Sequence, residues 1–413
     1  MVFGASAQTL FTSLAVQVLV LASGVVAARA LGAEDRGHLA LLWVAPIGIA
    51  LLGGFGLPQA TTYYVARDAT DPRQVVILAA RATAALSLLL AAIYAAVLFL
   101  AVDPAGHELR VAGLISVALI PCLLAQAVGL AVLQGTQRFT AFNLVRSLAP
   151  VIYTVGITLL YLLGWDSLVR IVAAVLAAWG IGAGVTWVVA VRGLPGGDGR
   201  AGTGIKEMLS FGLRGLFGSV SPIDDVRADQ LLVGLVVDAR ALGLYVAAIS
   251  FCNLPRFIAQ SIGLVSYPRV ASAETAAGAW AVVIRSSKIG IGLVAVTVIF
   301  LLLVVPFVLP FFFGKEFEDA VGLAQILLIA AFFLSIRRLF TEFCRGLGHP
   351  GYGSIGELIS LLVLLAGSAL LIPGSEETGI AWAVLAGSVV SAVLLAALLL
   401  RLHRRNVAPP PGG

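Results

Sequence analysis

The chain has 413 residues, of which 60% are hydrophobic and 11% charged. An average globular protein carries roughly 25% charged residues, so there is too little polar side chain here to cover a folded surface in water. That excludes a cytosolic enzyme and a disordered scaffold. Mean hydropathy is +1.05, and at about 20 apolar residues per helical crossing the length has room for on the order of twelve spans. The formal charge of +5 comes from 26 basic and 21 acidic residues; its placement matters more than its sum, and no nucleic-acid partner is indicated.

Taken in chain order, apolar runs bounded by Gly, Pro or charge fall at 7–29, 38–58, 75–102, 111–134, 147–164 and 168–191, then at 207–237, 241–264, 282–313, 320–341, 354–373 and 378–400. They predict an all-α integral membrane protein of twelve transmembrane helices in two pseudo-symmetric six-helix lobes. The N-terminus lacks a basic n-region, so the first run is expected to stay as an anchor. Between the sixth and seventh runs lies GLPGGDGRAGTG, in which six of twelve positions are Gly. It reads as a flexible linker. The expected organisation is a lobe at 1–192, a cytoplasmic linker at 193–206, a lobe at 207–405 and a tail at 406–413.

With the N-terminus inside, Lys and Arg divide seventeen inside against six outside, with Arg214, Arg227 and Arg256 left within helices. Cytoplasmic loops are enriched in these residues, so the asymmetry supports an even helix number with both termini cytoplasmic. The halves echo each other weakly: Gly37-His38-Leu39-Ala40 opens the second helix, and Gly243-Leu244-Tyr245-Val246 opens the eighth. Parallel repeats of this kind place a cavity between two lobes, although Gly matches also arise by chance in so Gly-rich a chain. Cys122, Cys252 and Cys344 have neither disulfide nor metal spacing, and His38, His107, His349 and His403 form no ligand cluster. No metal or cofactor is expected.

Several segments together resemble a known family: LGAEDRGHLAL at 31–41, GLPQATTYYVAR at 56–67, LQGTQRF at 133–139, RADQLLVGLVVDARALGLYVAA at 227–248 and PFFFGKEFEDA at 310–320. The chain is similar, from about residue 7 to residue 401, to the oligosaccharide flippases of the multidrug/oligosaccharidyl-lipid/polysaccharide exporter superfamily. The resemblance implies two six-helix lobes around a V-shaped cavity, alternating access in the cytoplasmic membrane, and a glycan on a polyprenyl pyrophosphate as cargo. It also leaves room for polymerase or glycosyltransferase partners.

The seventh run is the informative one, because Arg214, Asp224, Asp225, Arg227 and Asp229 occupy a segment otherwise suited to hydrocarbon. Each centrally placed ion costs about 2.5–3.5 kcal/mol or more, so these groups should face a wet cavity or pair with one another. On an unbroken helix Arg214, Ser221, Asp225 and Asp229 share one face, and Asp224 pairs with Arg227 three positions on. Pro222 weakens that facing argument. Two readings stay open: a lining of the transport path, with Asp225 and Asp229 as proton or sodium sites, and an ion-paired clasp. In the eighth helix Asn253, Arg256 and Gln260 share a face. A guanidinium is a fork of donors suited to phosphate, so Arg214 and Arg256 are candidates for the lipid pyrophosphate, against a reading in which both snorkel to headgroups. Ser13, Gln17, Gln126 and Gln325 are candidates for sugar hydroxyls or for interhelical hydrogen bonds. Glu357 is placed to cap its helix or to pair with Arg337, Arg338 or Arg345.

No GxxxxGK[ST] loop occurs, so the chain is no ATPase by itself, and Gly346, Gly348 and Gly351 match GxGxxG without a preceding strand. Two rivals are weaker: a cation-coupled drug exporter of the same architecture, expected to have an apolar, aromatic-lined cavity with few arginines, against which Arg214, Arg227 and Arg256 argue, and a membrane glycan polymerase or ligase, expected to have large outer loops, for which the outer loops here are too short.

Overall fold

Helix interruptions, more than helix content, distinguish one part of this chain from another. The computed structural model describes residues 2–67, 71–101, 106–192, 194 and 204–407. Most of the linker expected at 193–206, and the tail beyond residue 407, lie outside the described residues. In chain order the helices are α1 (Val2–Gly53), α2 (Leu57–Ala66), α3 (Pro72–Ala101), α4 (His107–Val117), α5 (Leu119–Gly135), α6 (Phe139–Leu162) and α7 (Leu168–Arg192). There follow α8 (Ile205–Ser219), α9 (Ala228–Val236), α10 (Ala239–Ile249), α11 (Asn253–Ala271), α12 (Ala276–Phe313), α13 (Ala320–Gly346) and α14 (Gly351–Val407). No strand occurs among the described residues.

Ten helical stretches among the described residues are long and apolar enough to cross a membrane. They account for eleven of the twelve expected runs, because Ala15–Gly53 holds the first two. The chain turns between those two at Gly32, whose φ of 73° is open to glycine without strain. In α14 the eleventh and twelfth runs meet at Glu376, again with a non-helical backbone. The expected seventh span, 207–237, is a correction: the chain leaves the helix after Ser219 and resumes it at Ala228. The eighth is interrupted more gently, by a 3-10 turn at Ser250–Cys252. Pro255 explains it, since its ring would meet the carbonyl of residue 251 in a regular helix.

The perimeter is apolar. Leu100 is 84% exposed, Leu370 80% and Phe307 77%, exposures that water would penalise and acyl chains would not. Two compact units divide the described residues: one runs to Val220 and includes Asp225–Arg227, the other takes Ser221–Asp224 and everything from Ala228 onward. In the first, Leu57, Val132, Val145 and Met208 are buried in one cluster, and Leu39, Ile157 and Ile171 in another. In the second, Trp280, Phe343 and Leu395 are buried together.

Helix α8, which the sequence reading gives to the second lobe, packs in the first unit against α2 and α3. Tyr63 stacks on Phe211 at 4.3 Å between ring centroids. The helix approaches so closely that a Cβ on Gly212 would strike the backbone of Phe55 and Gly56, and Gly56 itself has φ 67°. Gly212→Val is therefore expected to lower the melting temperature of the purified protein, by the equivalent of about 1–3 kcal/mol typical of overpacking. A melting curve in detergent against the unaltered chain checks it.

Candidate functional site

The break in the seventh run builds the site. Val220 is extended, Pro222 has no N–H to give a helix, and the Ser221 hydroxyl accepts the Asp224 N–H at 3.2 Å, a local bond that competes with helical pairing. The Pro222 carbonyl accepts the Ala228 N–H at 3.0 Å, and Arg227 takes φ 57° just before α9 begins. Asp224 consequently sits on a turn rather than on a helix. The common helical face expected for Arg214, Asp225 and Asp229 does not exist across this turn.

Asp224 gathers guanidinium groups from two helices of the second unit. Arg256 of α11 pairs with Oδ1. On the other oxygen, Oδ2, Arg337 Nη2 lies at 3.3 Å and Arg338 Nη1 at 3.6 Å, both from α13. Arg337 Nη1 also pairs with Glu357 of α14, as the sequence suggested, and the Ser221 hydroxyl donates to Glu357 Oε2 at 2.7 Å. Three cations thus meet two carboxylates, leaving one positive charge over. The groups are not equally dry. Arg337 is 1% exposed, while Arg256 is 19% and Arg338 35% exposed. Arg337 is sealed within the network, and the side chains of the other two are partly accessible.

Charges removed from water are tolerated only when closely paired, and an arginine fork presents several directed donors where lysine has a single point charge. A cluster with an uncompensated cation is suited to an anion with several oxygens, such as a phosphate.

The remaining candidates fall elsewhere. Arg214 is exposed on α8 in the first unit, where its Nε donates to the Ser210 carbonyl at 3.1 Å. Asp225 is exposed in the turn. Asp229 is 1% exposed on α9 and accepts the Tyr245 hydroxyl at 2.9 Å. Asn253 and Gln260 are half-buried on α11, three before and four after Arg256. Gln17 is exposed on α1, and the Ser13 side chain lies outside the described residues. The helical spacing on which the expected pairing of Asp224 with Arg227 relied is not present, since the backbone at Arg227 is left-handed. Arg337 and Arg338 lie near the end of the tenth run, and nothing local in the sequence distinguishes them from basic residues that flank a span. No group of three or more potential metal ligands occurs among the described residues. The first unit also contains a mostly apolar cavity of about 440 Å³ lined by residues of α3, α5 and α7, including Trp187.

A family model described as polysaccharide biosynthesis protein matches residues 26–322. The fold is shared with solved transporters. An inward-facing multidrug resistance MATE family transporter of the MOP superfamily aligns with a TM-score of 0.76 at 16% identity, over 95% of this chain and 96% of that one. An outward-facing one gives 0.63 at 16% identity, over 98% and 96%. A crystal structure of MATE in the straight conformation gives 0.65 at 16% identity, over 98% and 96%. No curated protein matches the chain in sequence. The chain belongs to the polysaccharide biosynthesis protein family, with the all-helical, multi-pass fold of MOP-superfamily membrane transporters.

Breaking a buried pair by removing one partner costs about 3–5 kcal/mol, because the other charge is left alone. Arg337→Met is therefore expected to lower the melting temperature sharply, and adding Glu357→Gln to restore part of the loss. A double-mutant cycle checks it: additive effects would mean that the two residues do not act on each other.

Proposed function

We propose that the protein is a flippase that carries a polyprenyl-pyrophosphate-linked oligosaccharide across the cytoplasmic membrane by alternating access. The glycan headgroup is taken from the cytoplasmic leaflet, the polyprenyl tail stays among membrane lipids, and the headgroup is released outside for polysaccharide synthesis. No covalent chemistry is required, and both termini are assigned to the cytoplasm from the distribution of Lys and Arg. The observation that carries this reading is the arginine-rich cluster around Asp224, with Arg256 and Arg338 partly open and one positive charge in excess. Family membership supports it independently.

In this reading Arg256 holds the pyrophosphate and Asn253 and Gln260 on the same helix contact the sugar next to it; Arg214 and Gln17, on helices of the first unit, are further candidates for cargo contact. Asp225 and Asp229 are the ion-coupling acids, loading a proton or sodium whose release resets the transporter. The buried Asp229 and its Tyr245 hydroxyl donor form a compact place for such a charge change. A cation-coupled drug exporter is the second reading, favoured by the mostly apolar cavity beside Trp187. The cluster around Asp224 weighs against it, because excess positive charge repels a cationic drug.

Reconstitution separates the two. Vesicles holding the purified protein are expected to translocate a fluorescent polyprenyl-pyrophosphate glycan, and Arg256→Ala to slow this at least tenfold. Export of a cationic dye with no movement of the glycan would establish the drug exporter instead. For coupling, Asp229→Asn is expected to abolish the response of transport to an imposed proton or sodium gradient. Equal transport with and without either gradient in the unaltered protein would remove the ion-coupling role.

A further inference from the structure

The first unit contains a cation that the cluster around Asp224 does not explain. Arg36 follows the turn at Gly32 in α1 and is 9% exposed. Its Nε is sealed from solvent without a hydrogen-bond partner, and no ion pair reaches it among the described residues. The acids beside it in sequence do not serve it: Asp35 pairs with His38 Nδ1 at 3.1 Å, and Glu34 is exposed. Its electrostatic neighbours in this unit are the Tyr153 hydroxyl of α6 and a second cation, Arg227. A snorkelling arginine extends its head to the headgroup layer, whereas this one is drawn inside.

From Tyr153 a row of rings leads away along one side of the buried cluster around Leu39, Ile157 and Ile171. The rings of Tyr153 and Trp179 lie 6.1 Å apart, and those of Trp179 and Trp43 4.4 Å apart; all three are partly exposed. One turn further along α6 and α7, a Cβ on Gly182 would come within 3.0 Å of Ala149 and 3.4 Å of Gln126 Oε1. Gln126 is 8% exposed, and that oxygen has no partner. A guanidinium, a phenol and an amide, graded along a strip of aromatic rings, is the mixture of apolar faces and few directed polar groups that small-ligand sites use. The excess of donors over acceptors selects an oxyanion.

From this arrangement we infer that Arg36, Tyr153, Trp43, Trp179 and Gln126 form a second cargo subsite, in which Arg36 receives an oxyanion and the rings and amide receive the adjoining sugar. The oxyanion is either the carboxylate of an acidic sugar in the glycan or a phosphate of the lipid anchor. The inference rests on the flippase reading and adds to it a charge requirement located in the first unit. It also accounts for the orphaned Nε of Arg36 among the described residues: the group is held ready for the cargo, at the expense of the unloaded protein.

The test compares two fluorescent lipid-linked glycans that differ only in a glucuronate replacing a glucose, carried by the unaltered protein and by Arg36→Gln in vesicles. The melting temperature of each protein is measured beside it. Removing a charge without a partner is expected to leave the melting temperature unchanged or higher, while transport falls at least tenfold. A fall confined to the glucuronate cargo identifies the sugar carboxylate as the ligand, and an equal fall on both identifies the phosphate. A lower melting temperature, or transport of both cargoes at the unaltered rate, overturns the inference. Arg36→Lys, which keeps the charge but not the fork, takes the place of Arg36→Gln if that variant does not yield monodisperse protein. Failure of the unaltered protein to move either glycan would instead bring down the flippase reading itself.

Discussion

The second unit is organised around one constraint: Arg337, fully enclosed in a helix otherwise suited to hydrocarbon, must keep its counter-charges close. A guanidinium in a dry interior is stable only with carboxylates in hydrogen-bonding geometry. Two are supplied, from separate parts of the chain: Asp224 from the turn after α8, and Glu357 from α14. The break at Ser221 and Pro222 is what lets Asp224 meet this requirement. A carboxylate delivered from a turn can reach several helices at once, and here it meets Arg256, Arg337 and Arg338 together. The helix break and the charge cluster are therefore one feature seen at two scales.

In the proposed reading, the break would also give the cluster a way to respond to a ligand. Groups mounted on a turn move at lower cost than groups on a packed helix, and the turn at 220–227 carries Asp224 while its neighbours Arg256 and Arg338 stay on rigid elements. In the proposed flippase reading, an incoming phosphate would compete with Asp224 for the same donors. Transporters use interrupted helices near their sites for related reasons, because backbone freed from helical bonds is tolerated where it lines a cavity. The apolar perimeter, including Phe307 and Leu370, imposes no such requirement and is filled with ordinary helix formers.

Much of this architecture was legible in the sequence. Eleven of the twelve expected runs lie in helices long enough to span, because a hydrocarbon environment leaves a strong and nearly local signal in composition. The seventh run was misread for an equally physical reason. Average hydropathy over 207–237 is insensitive to the Ser221 hydroxyl capturing the Asp224 N–H, and Pro222 indicated a bend without showing how far it extends. Arg256 stands out in the sequence because it interrupts an apolar helix next to a proline, but its pairing with Asp224 does not. Arg337 and Arg338 do not stand out, since two arginines near the end of an apolar run look the same whether they meet headgroups or a buried carboxylate. Their role depends on contacts between residues more than a hundred positions apart, and periodicity cannot report those. Glu357 was the exception, because a lone acid in an apolar run calls for a basic partner and few were available.

The central claim is that the face of α11 bearing Arg256 borders a wet, electropositive space occupied by the cargo's pyrophosphate. A single cysteine replacing Gln260, in protein whose Cys122, Cys252 and Cys344 are changed to alanine, tests it most directly. The account predicts faster modification by an anionic than by a cationic thiosulfonate reagent, and protection by a short-chain polyprenyl pyrophosphate. A thiol that neither reagent reaches, or one modified without charge preference and without protection, would contradict it.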